Sequence, residues 1–264
     1  MLVRSDVMLR GSDAAISERF HEVAARDIDI RMNTSITELS QEGEIVTATL
    51  DDGTEIAADA LLVATGRIPN GDRMDLAAGG VEMHDDGRIK VDQNGRTSAE
   101  GVWALGDVSS PYQLKHIANH EAKVVFHNVL NPSDLREFDH RYIPSAVFSH
   151  PQIGQVGMTE DEARAWAAEN GTEITVKVQN YGDVAYGWAL EDRDGFAKLI
   201  ADRSTGRLLG AHFIGEQAAT LVQQCIQMMS FEMDVREVVK GQHWIHPALP
   251  ELIENAILGL EFDN

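Results

Sequence analysis

The stretch Ala60-Leu61-Leu62-Val63-Ala64-Thr65-Gly66-Arg67 decides the fold class of this chain. Its first half, residues 60–64, is continuously apolar and runs straight into a turn of small residues. Uninterrupted apolar strands of this kind are typical of parallel sheets that are covered on both faces. Ligands bind to such sheets at the carboxyl ends of the strands. The pattern therefore predicts an α/β domain with a ligand-binding turn at Thr65, Gly66 and Arg67.

A second segment of the same type follows at residues 102–105, a short apolar strand that ends in Gly106 and Asp107. Glycine lets a ligand approach the backbone closely, and a carboxylate accepts hydrogen bonds from the hydroxyls of a sugar or a ribityl chain. A loop aspartate that caps the following segment is the common alternative. The segment is therefore a candidate nucleotide-binding turn.

The helix predicted next, at about residues 115–130, carries His116, His120 and His127. The first two are four residues apart, which is a spacing that could hold a metal ion. No glutamate–histidine motif completes such a site. We therefore predict no metal and assign these histidines to the helix surface or to packing against a cofactor.

The chain begins with an apolar segment, Leu2 to Leu9, which is followed by a helical pattern around Ile16, Phe20 and Val23. A strand, a turn and a helix in this order form half of a βαβ unit. In dinucleotide-binding domains, an acidic residue at the strand end binds the adenosine ribose, whereas arginine suits a 2′-phosphate. Arg10, which we place at the strand end, is therefore a candidate selector for NADPH. A solvated loop arginine is the alternative.

The rest of the chain is predicted to contain antiparallel sheets. Residues 36–39, 45–50 and 55–58 form a meander, in which the Asp52-Gly53 pair signals a hairpin. From Asp139 the pattern changes to α+β, with a capping box that starts a helix at Thr159. Further strands are predicted in that region at 142–148, 152–158, 174–178, 196–201 and 208–214, with a helix at 218–229 whose apolar face includes Cys225.

His246 and Glu251 lie five residues apart, just before a short helix whose apolar face contains Leu252, Ile253 and Ala256. A glutamate in the first turn is favoured by the helix dipole. If the proline-containing loop folds back, the carboxylate can accept a hydrogen bond from one imidazole nitrogen and leave the other free for proton transfer. On spacing alone, a surface histidine in front of a helix is the commoner case.

Composition limits the classes of function. The 264 residues contain 43 Asp and Glu against 22 Lys and Arg, a formal charge of −21, so we expect no binding of nucleic acid. Cys225 is the single cysteine, which excludes an internal disulfide and is compatible with a reducing, cytoplasmic location. No stretch approaches the roughly 18 apolar residues of a membrane span, so no membrane partner is expected.

Taken in order, these segments resemble the flavoprotein pyridine nucleotide–disulfide oxidoreductases, the group of glutathione reductase and lipoamide dehydrogenase. The resemblance rests on five stretches: Ala64-Thr65-Gly66-Arg67 with Pro69-Asn70; Thr97 with Gly101-Val102-Trp103-Ala104-Leu105-Gly106-Asp107; residues 144–151 with Val156-Gly157-Met158-Thr159-Glu160; Gly210-Ala211-His212-Phe213-Ile214-Gly215; and His243-Trp244-Ile245-His246-Pro247 with Glu251. It implies an α/β part followed by an α+β part. These are partial Rossmann-like NAD(P)-binding (1–66) and FAD-binding (67–138) domains and an α+β dimerisation domain (139–264).

The resemblance also implies roles for individual residues. His246 and Glu251 match the catalytic acid–base pair, which in this family reaches across a homodimer into the partner's active site. Arg10 is placed where NADPH-dependent members carry arginine. Asp107 matches the residue that binds the ribityl chain of FAD. The other residues implied to lie near FAD are Thr65, Gly66, Arg67, Gly106, Leu114, Lys115 and His116.

Within the family, residues 183–188 and the ending at 246–256 are most similar to members that reduce mycothione, a small-molecule disulfide. A lipoamide dehydrogenase-like or mercuric reductase-like enzyme is an alternative, and a non-catalytic dimerisation module is another. The family's glycine motifs and redox-active cysteine pair are not found in this sequence. We therefore expect the carboxyl-terminal part of a longer protein. The loop after Arg10 is also short, so a second phosphate-binding arginine is expected to be missing.

Overall fold

The computed structural model describes residues 1–263, which form two compact units. One unit combines Met1–Leu61 with the chain from Pro144 onward, and the other is Leu62–Ile143. The predicted NAD(P)-binding and dimerisation segments thus pack within one unit, while the three predicted domain boundaries stay a prediction. Within the described part of the chain, no helix is both long enough and apolar enough to cross a membrane.

The helices and strands have the following bounds. The helices are α1 (Ala14–Ala24), α2 (Lys115–Leu130), α3 (Glu160–Asn170), α4 (Ala185–Ala189), α5 (Ala218–Ser230), α6 (Val235–Gly241) and α7 (Glu251–Leu258). The strands are β1 (Ile36–Glu42), β2 (Ile45–Leu50), β3 (Glu55–Ala58), β4 (Ser145–Val147), β5 (Ile153–Gly157), β6 (Ile174–Asn180), β7 (Phe196–Asp202) and β8 (Leu208–Ile214).

The larger unit contains two antiparallel sheets. Strands β1, β2 and β3 form the predicted meander, and Gly53 adopts a φ of 83° in its hairpin. The second sheet has five strands in the order β4-β5-β8-β7-β6, and every residue of β7 is buried. Helix α5 packs on this sheet with Cys225 fully buried in its apolar face. The α+β pattern predicted beyond Asp139 is therefore confirmed.

Local signals fixed the start of α3 as predicted. The Thr159 hydroxyl accepts the N–H of Glu162, and the Glu162 carboxylate accepts the N–H of Thr159, which is a complete capping box. The helix is followed by Gly171, which adopts a left-handed conformation with a φ of 65°. Both ends of α3 thus satisfy backbone groups that a helix leaves unpaired.

Helix α1 is attached to the five-stranded sheet by a buried ion cluster. Asp13 caps α1 and contacts the Lys198 ammonium of β7 at 2.7 Å, and Glu160 contacts the same nitrogen at 2.8 Å. Asp13 and Lys198 are 1% and 5% exposed. Burial by itself disfavours both charges, yet the hydrogen bonds between them lower the pKa of Asp13 and raise the pKa of Lys198. Beside this cluster, Ile16 packs in an apolar core of the sheet.

The strand predicted at residues 2–9 is wrong in extent. Leu2 makes a parallel bridge to Arg31, and the backbone of Val3 is hydrogen-bonded, but residues 4–11 form bends and turns. Leu9, in a left-handed conformation with a φ of 54°, cannot continue a strand. The bridged segment therefore ends before Arg4, the first residue of the bends, and Arg10 lies in the turn that leads into α1.

The two apolar segments that suggested parallel strands are also not strands. Residues 60–64 have no strand pairing, and Leu62 is 89% exposed. Residues 102–105 make a single bridge, between Trp103 and Arg96. A strand exists only where a neighbour supplies hydrogen-bonding partners: within the described part of the chain, residues 60–64 have none, and residues 102–105 have only this bridge and its two flanking hydrogen bonds, from Thr97 to Val102 and from Ala104 to Gly95. In the smaller unit, Ala104 instead joins a small apolar core with Val81 and Ile89.

Candidate active site and nucleotide-binding residues

The His246–Glu251 pair is anchored by helix α7. Pro250 precedes the helix, Glu251 is its first residue, and its apolar face is buried, with Leu252 and Ile253 fully inaccessible. That face packs on β6 and β7, which fixes the helix against the sheet. The start of α7, which carries Glu251, is therefore fixed by the core of the unit.

The structure brings His246 and Glu251 into direct contact. The Nδ1 atom of His246 lies 2.7 Å from Oε1 of Glu251, and the Ala248 N–H donates to Oε2 at 3.1 Å. An ionised carboxylate can only accept hydrogen bonds, so Nδ1 must carry the proton. Nε2 is then the nitrogen available for proton transfer. It can reach a substrate at the surface because the imidazole is 68% exposed.

The charge state of Glu251 supports this arrangement. Its partial burial alone would raise the pKa, but the hydrogen bonds from His246 and from the Ala248 N–H outweigh that effect and lower the pKa below its usual value. The carboxylate is therefore ionised at neutral pH and orients the imidazole. Its catalytic role stays a prediction.

In the smaller unit, the predicted turn residues Arg67 and Asp107 come together. The Nη1 atom of Arg67 lies 3.4 Å from Oδ2 of Asp107, and both side chains are more than half exposed. Gly106, in front of Asp107, has a φ of 70°, which explains the need for glycine there. Gly66 has a φ of 124°, and a Cβ at that position would meet nothing within 4 Å. The backbone at Gly66 is thus open to a ligand.

The remaining residues predicted to lie near FAD are placed as follows. Thr65 is exposed, Leu114 caps the N-terminus of α2, and Lys115 and His116 form its first turn. The Lys115 ammonium donates to Asn119 at 2.6 Å. Their contact with a flavin stays a prediction.

The histidines of α2 have other partners. The Nε2 atom of His120 accepts the N–H of Asp139 at 3.1 Å, and His127 contacts the carbonyl of Asp134 at 2.8 Å. Within residues 1–263 there is no group of three side chains suited to a metal ion.

Arg10 lies in the larger unit beside the buried ion cluster. It is exposed and lines a cleft of about 550 Å³ together with Ser12, Asp13 and Lys198. The sequence did not single out Arg4, which directly follows the short segment bridged to Arg31. The interruption of the apolar pattern after Val3 was the signal that could have identified it.

Two family matches cover most of the chain. Residues 1–122 match the family described as pyridine nucleotide-disulphide oxidoreductase, and residues 143–257 match its dimerisation domain. The second match lies within the larger unit and includes His246 and Glu251.

Individual proteins show the same relationship. The chain is 52% identical to mycothione reductase of Mycobacterium tuberculosis over 98% of its length and 32% identical to dihydrolipoyl dehydrogenase of Corynebacterium glutamicum over 79%. It spans 56% and 44% of these relatives. The HOCl-induced flavoprotein disulfide reductase RclA of Escherichia coli superposes with a TM-score of 0.88 at 25% identity, covering 98% of this chain and 58% of that one. The family matches and the similar proteins agree: this chain belongs to the pyridine nucleotide-disulphide oxidoreductase family.

Proposed function

We propose that this chain is part of an NADPH-dependent flavoprotein that reduces mycothione. The observation that carries the proposal is the 52% identity to mycothione reductase along 98% of the chain. The hydrogen-bonded pair of His246 and Glu251 adds the acid–base group that such a reaction uses. The lower identity of 32% to dihydrolipoyl dehydrogenase makes lipoamide the second candidate substrate.

The smaller unit offers groups that fit FAD. The Asp107 carboxylate is half exposed and loosely held by Arg67, so it can accept bonds from ribityl hydroxyls. The open backbone at Gly66 allows a nucleotide to approach. When bound, FAD would pass electrons from NADPH to a disulfide. In this proposal Asp107 would hold the ribityl chain, and Leu114, Lys115 and His116 would contact the flavin.

His246 supplies the proton for the departing thiolate. A protonated thiol leaves the reaction, whereas an unprotonated thiolate can attack the mixed disulfide again. Glu251 keeps Nδ1 protonated and directs Nε2 outward. Thiol–disulfide exchange also needs a pair of thiols, and Cys225 cannot provide one because its complete burial raises the pKa of its thiol. We assign that pair to residues of the gene product outside this chain.

We also propose that the protein forms a homodimer. The match to a dimerisation domain at 143–257 supports self-association. In that region large apolar side chains are exposed, among them Phe148 at 81% and Trp188 at 75%. Exposed aromatic residues are common at such interfaces. Each protomer would then present His246 to the active site of the other.

Removing Arg4 or Arg10 is expected to weaken NADPH binding selectively. Arg4, just after the bridged segment, and Arg10, in the following turn, would both contact the 2′-phosphate, so Arg4 would be the second arginine that the sequence was expected to lack. Loss of a hydrogen bond to a charged group costs about 1.5–3 kcal/mol, so Arg4→Ala and Arg10→Ala should each raise the KM for NADPH roughly tenfold or more. The KM for NADH should change little. Arg193→Ala, at an exposed arginine of the same unit, is the control. Equal changes for NADPH and NADH would contradict the assignment.

The substrate is tested on the complete gene product. Flavin absorbance is measured first, and NADPH oxidation is then followed with mycothione, lipoamide and mercuric ion side by side. We expect a yellow protein with the highest kcat/KM for mycothione. A colourless protein would instead support a non-catalytic dimerisation module, and a preference for lipoamide or mercuric ion would change the substrate assignment.

A further inference from the structure

The turn that carries Asp107 is hydrogen-bonded to a buried carboxylate. Glu121 lies on α2 and is 1% exposed. Its Oε2 accepts the Gly106 N–H at 2.7 Å, and its Oε1 lies 2.9 Å from Nε2 of His140. Both oxygens of Glu121 thus have hydrogen-bond partners within the protein in place of water. Burying a charge is costly unless such bonds replace water.

His140 is itself held in place by aromatic neighbours. Its ring stacks on Phe138 with centroids 5.5 Å apart, and the edge of Tyr112 approaches at 5.2 Å. The contact between Nε2 of His140 and Oε1 of Glu121 is a hydrogen bond within ordinary distance. The ring therefore fixes Oε1 of Glu121, and through it the orientation of the whole carboxylate.

The two peptide groups on either side of the Gly106 Cα are both hydrogen-bonded within the protein. The Gly106 carbonyl accepts the N–H groups of Ser109 at 2.9 Å and Ser110 at 2.7 Å, while the Gly106 N–H is bound by Glu121. A Cβ at Gly106 would lie 3.2 Å from the Cβ of Ala118, which is one turn before Glu121 on α2. Since Asp107 follows directly, these contacts fix the backbone from which its side chain extends.

We propose that Glu121 and His140 are positioning residues for flavin nucleotide binding, acting through the Gly106 peptide on the carboxylate of Asp107. This inference rests on the proposed function, in which Asp107 binds the ribityl chain. A side chain needed only to fill space could be apolar and would avoid the cost of a buried charge. A carboxylate is needed here to fix one N–H group next to a ligand-binding residue.

The test is a titration of FAD onto the apo form of the complete gene product, followed by flavin fluorescence. Glu121→Ala removes the acceptor and should raise the Kd for FAD on the order of tenfold. Glu121→Gln keeps an oxygen for the Gly106 N–H and should restore most of the affinity. His140→Leu should give an intermediate loss. Glu100→Gln, at an exposed glutamate of the same unit, should leave the Kd unchanged.

A double-mutant cycle separates positioning from a purely structural role. If Glu121 acts through Asp107, the loss caused by Glu121→Ala should largely disappear in an Asp107→Asn background. An equal loss in both backgrounds, or no loss in either, would overturn the inference while leaving the proposed function intact. If Glu121→Ala does not fold, the same cycle is run with His140→Leu. A wild-type protein that binds no FAD would overturn the inference together with the proposed function.

Discussion

The His246→Gln enzyme is expected to lose disulfide turnover by roughly 100- to 10,000-fold, the usual contribution of a positioned general acid or base. Glutamine can still hydrogen-bond, but it cannot transfer a proton at neutral pH. The departing thiolate would then leave without protonation and recombine with the mixed disulfide. In the proposed reaction, reduction of the bound flavin by NADPH precedes this step, so it should keep its wild-type rate. Stopped-flow absorbance measures the flavin step, and steady-state NADPH oxidation measures turnover.

Two further variants make the His246 experiment specific. His243→Gln changes an exposed histidine three residues earlier and should leave turnover within about twofold. Glu251→Gln keeps the shape of the orienting group but not its charge, so we expect a smaller loss than for His246→Gln. Full disulfide turnover in His246→Gln would contradict the assignment of this pair as the acid–base group.

The second large effect is expected from Lys198→Met. It leaves Asp13, which is 1% exposed, without its cation, and breaking one side of a buried ion pair costs about 3–5 kcal/mol. Chemical unfolding of the complete protein measures this loss. Asp13→Asn combined with Lys198→Met removes the unpaired charge as well and should recover part of the stability.

The stability difference between wild type and Lys198→Met should depend on pH. The lowered pKa of Asp13 means that its contribution is complete above the unfolded value of about 3.9 and is lost as the pH falls through the folded value. The raised pKa of Lys198 means that its contribution is complete below about 10.4 and is lost as the pH rises through the folded value. In Lys198→Met the buried Asp13 loses its cation, so burial raises the pKa of Asp13 in that variant. The difference should therefore be largest in the neutral range and shrink on both the acid and the alkaline side.

Lys240→Met is the matched control for this experiment. Lys240 forms an exposed ion pair with Glu237 at 3.5 Å, and such pairs contribute little. Its unfolding should match wild type at every pH. An unfolding free energy of Lys198→Met within error of wild type would show that the cluster does not attach α1 to the sheet.

The sequence was most informative where structure depends on near neighbours. Helix α2 was placed at its observed bounds, and the Thr159 capping box was recognised from two residues three positions apart. Strand β8 and helix α5 followed from their apolar periodicity. Helical and capping signals involve residues within one or two turns, so a short window contains them.

The sequence was misleading where a strand depends on distant partners. Residues 60–64 have the composition of a buried strand but no paired neighbour among the described residues. Arg10 was placed at a strand end, but in the structure the bridged segment ends before Arg4. Glu121 and Lys198 were not singled out at all, because a glutamate in a helix and a lysine in a strand are ordinary in sequence.

By itself, then, the sequence determined the local elements, the family through its ordered motifs, and the candidate pair His246 and Glu251. Only the tertiary structure decided that this pair is joined at 2.7 Å, that Lys198 is shared by Asp13 and Glu160, and that Glu121 holds the Gly106 peptide. The physical reason is the sequence distance over which each interaction acts. Periodicity and capping act along the chain, whereas burying a charge depends on which distant groups the fold brings to replace its water.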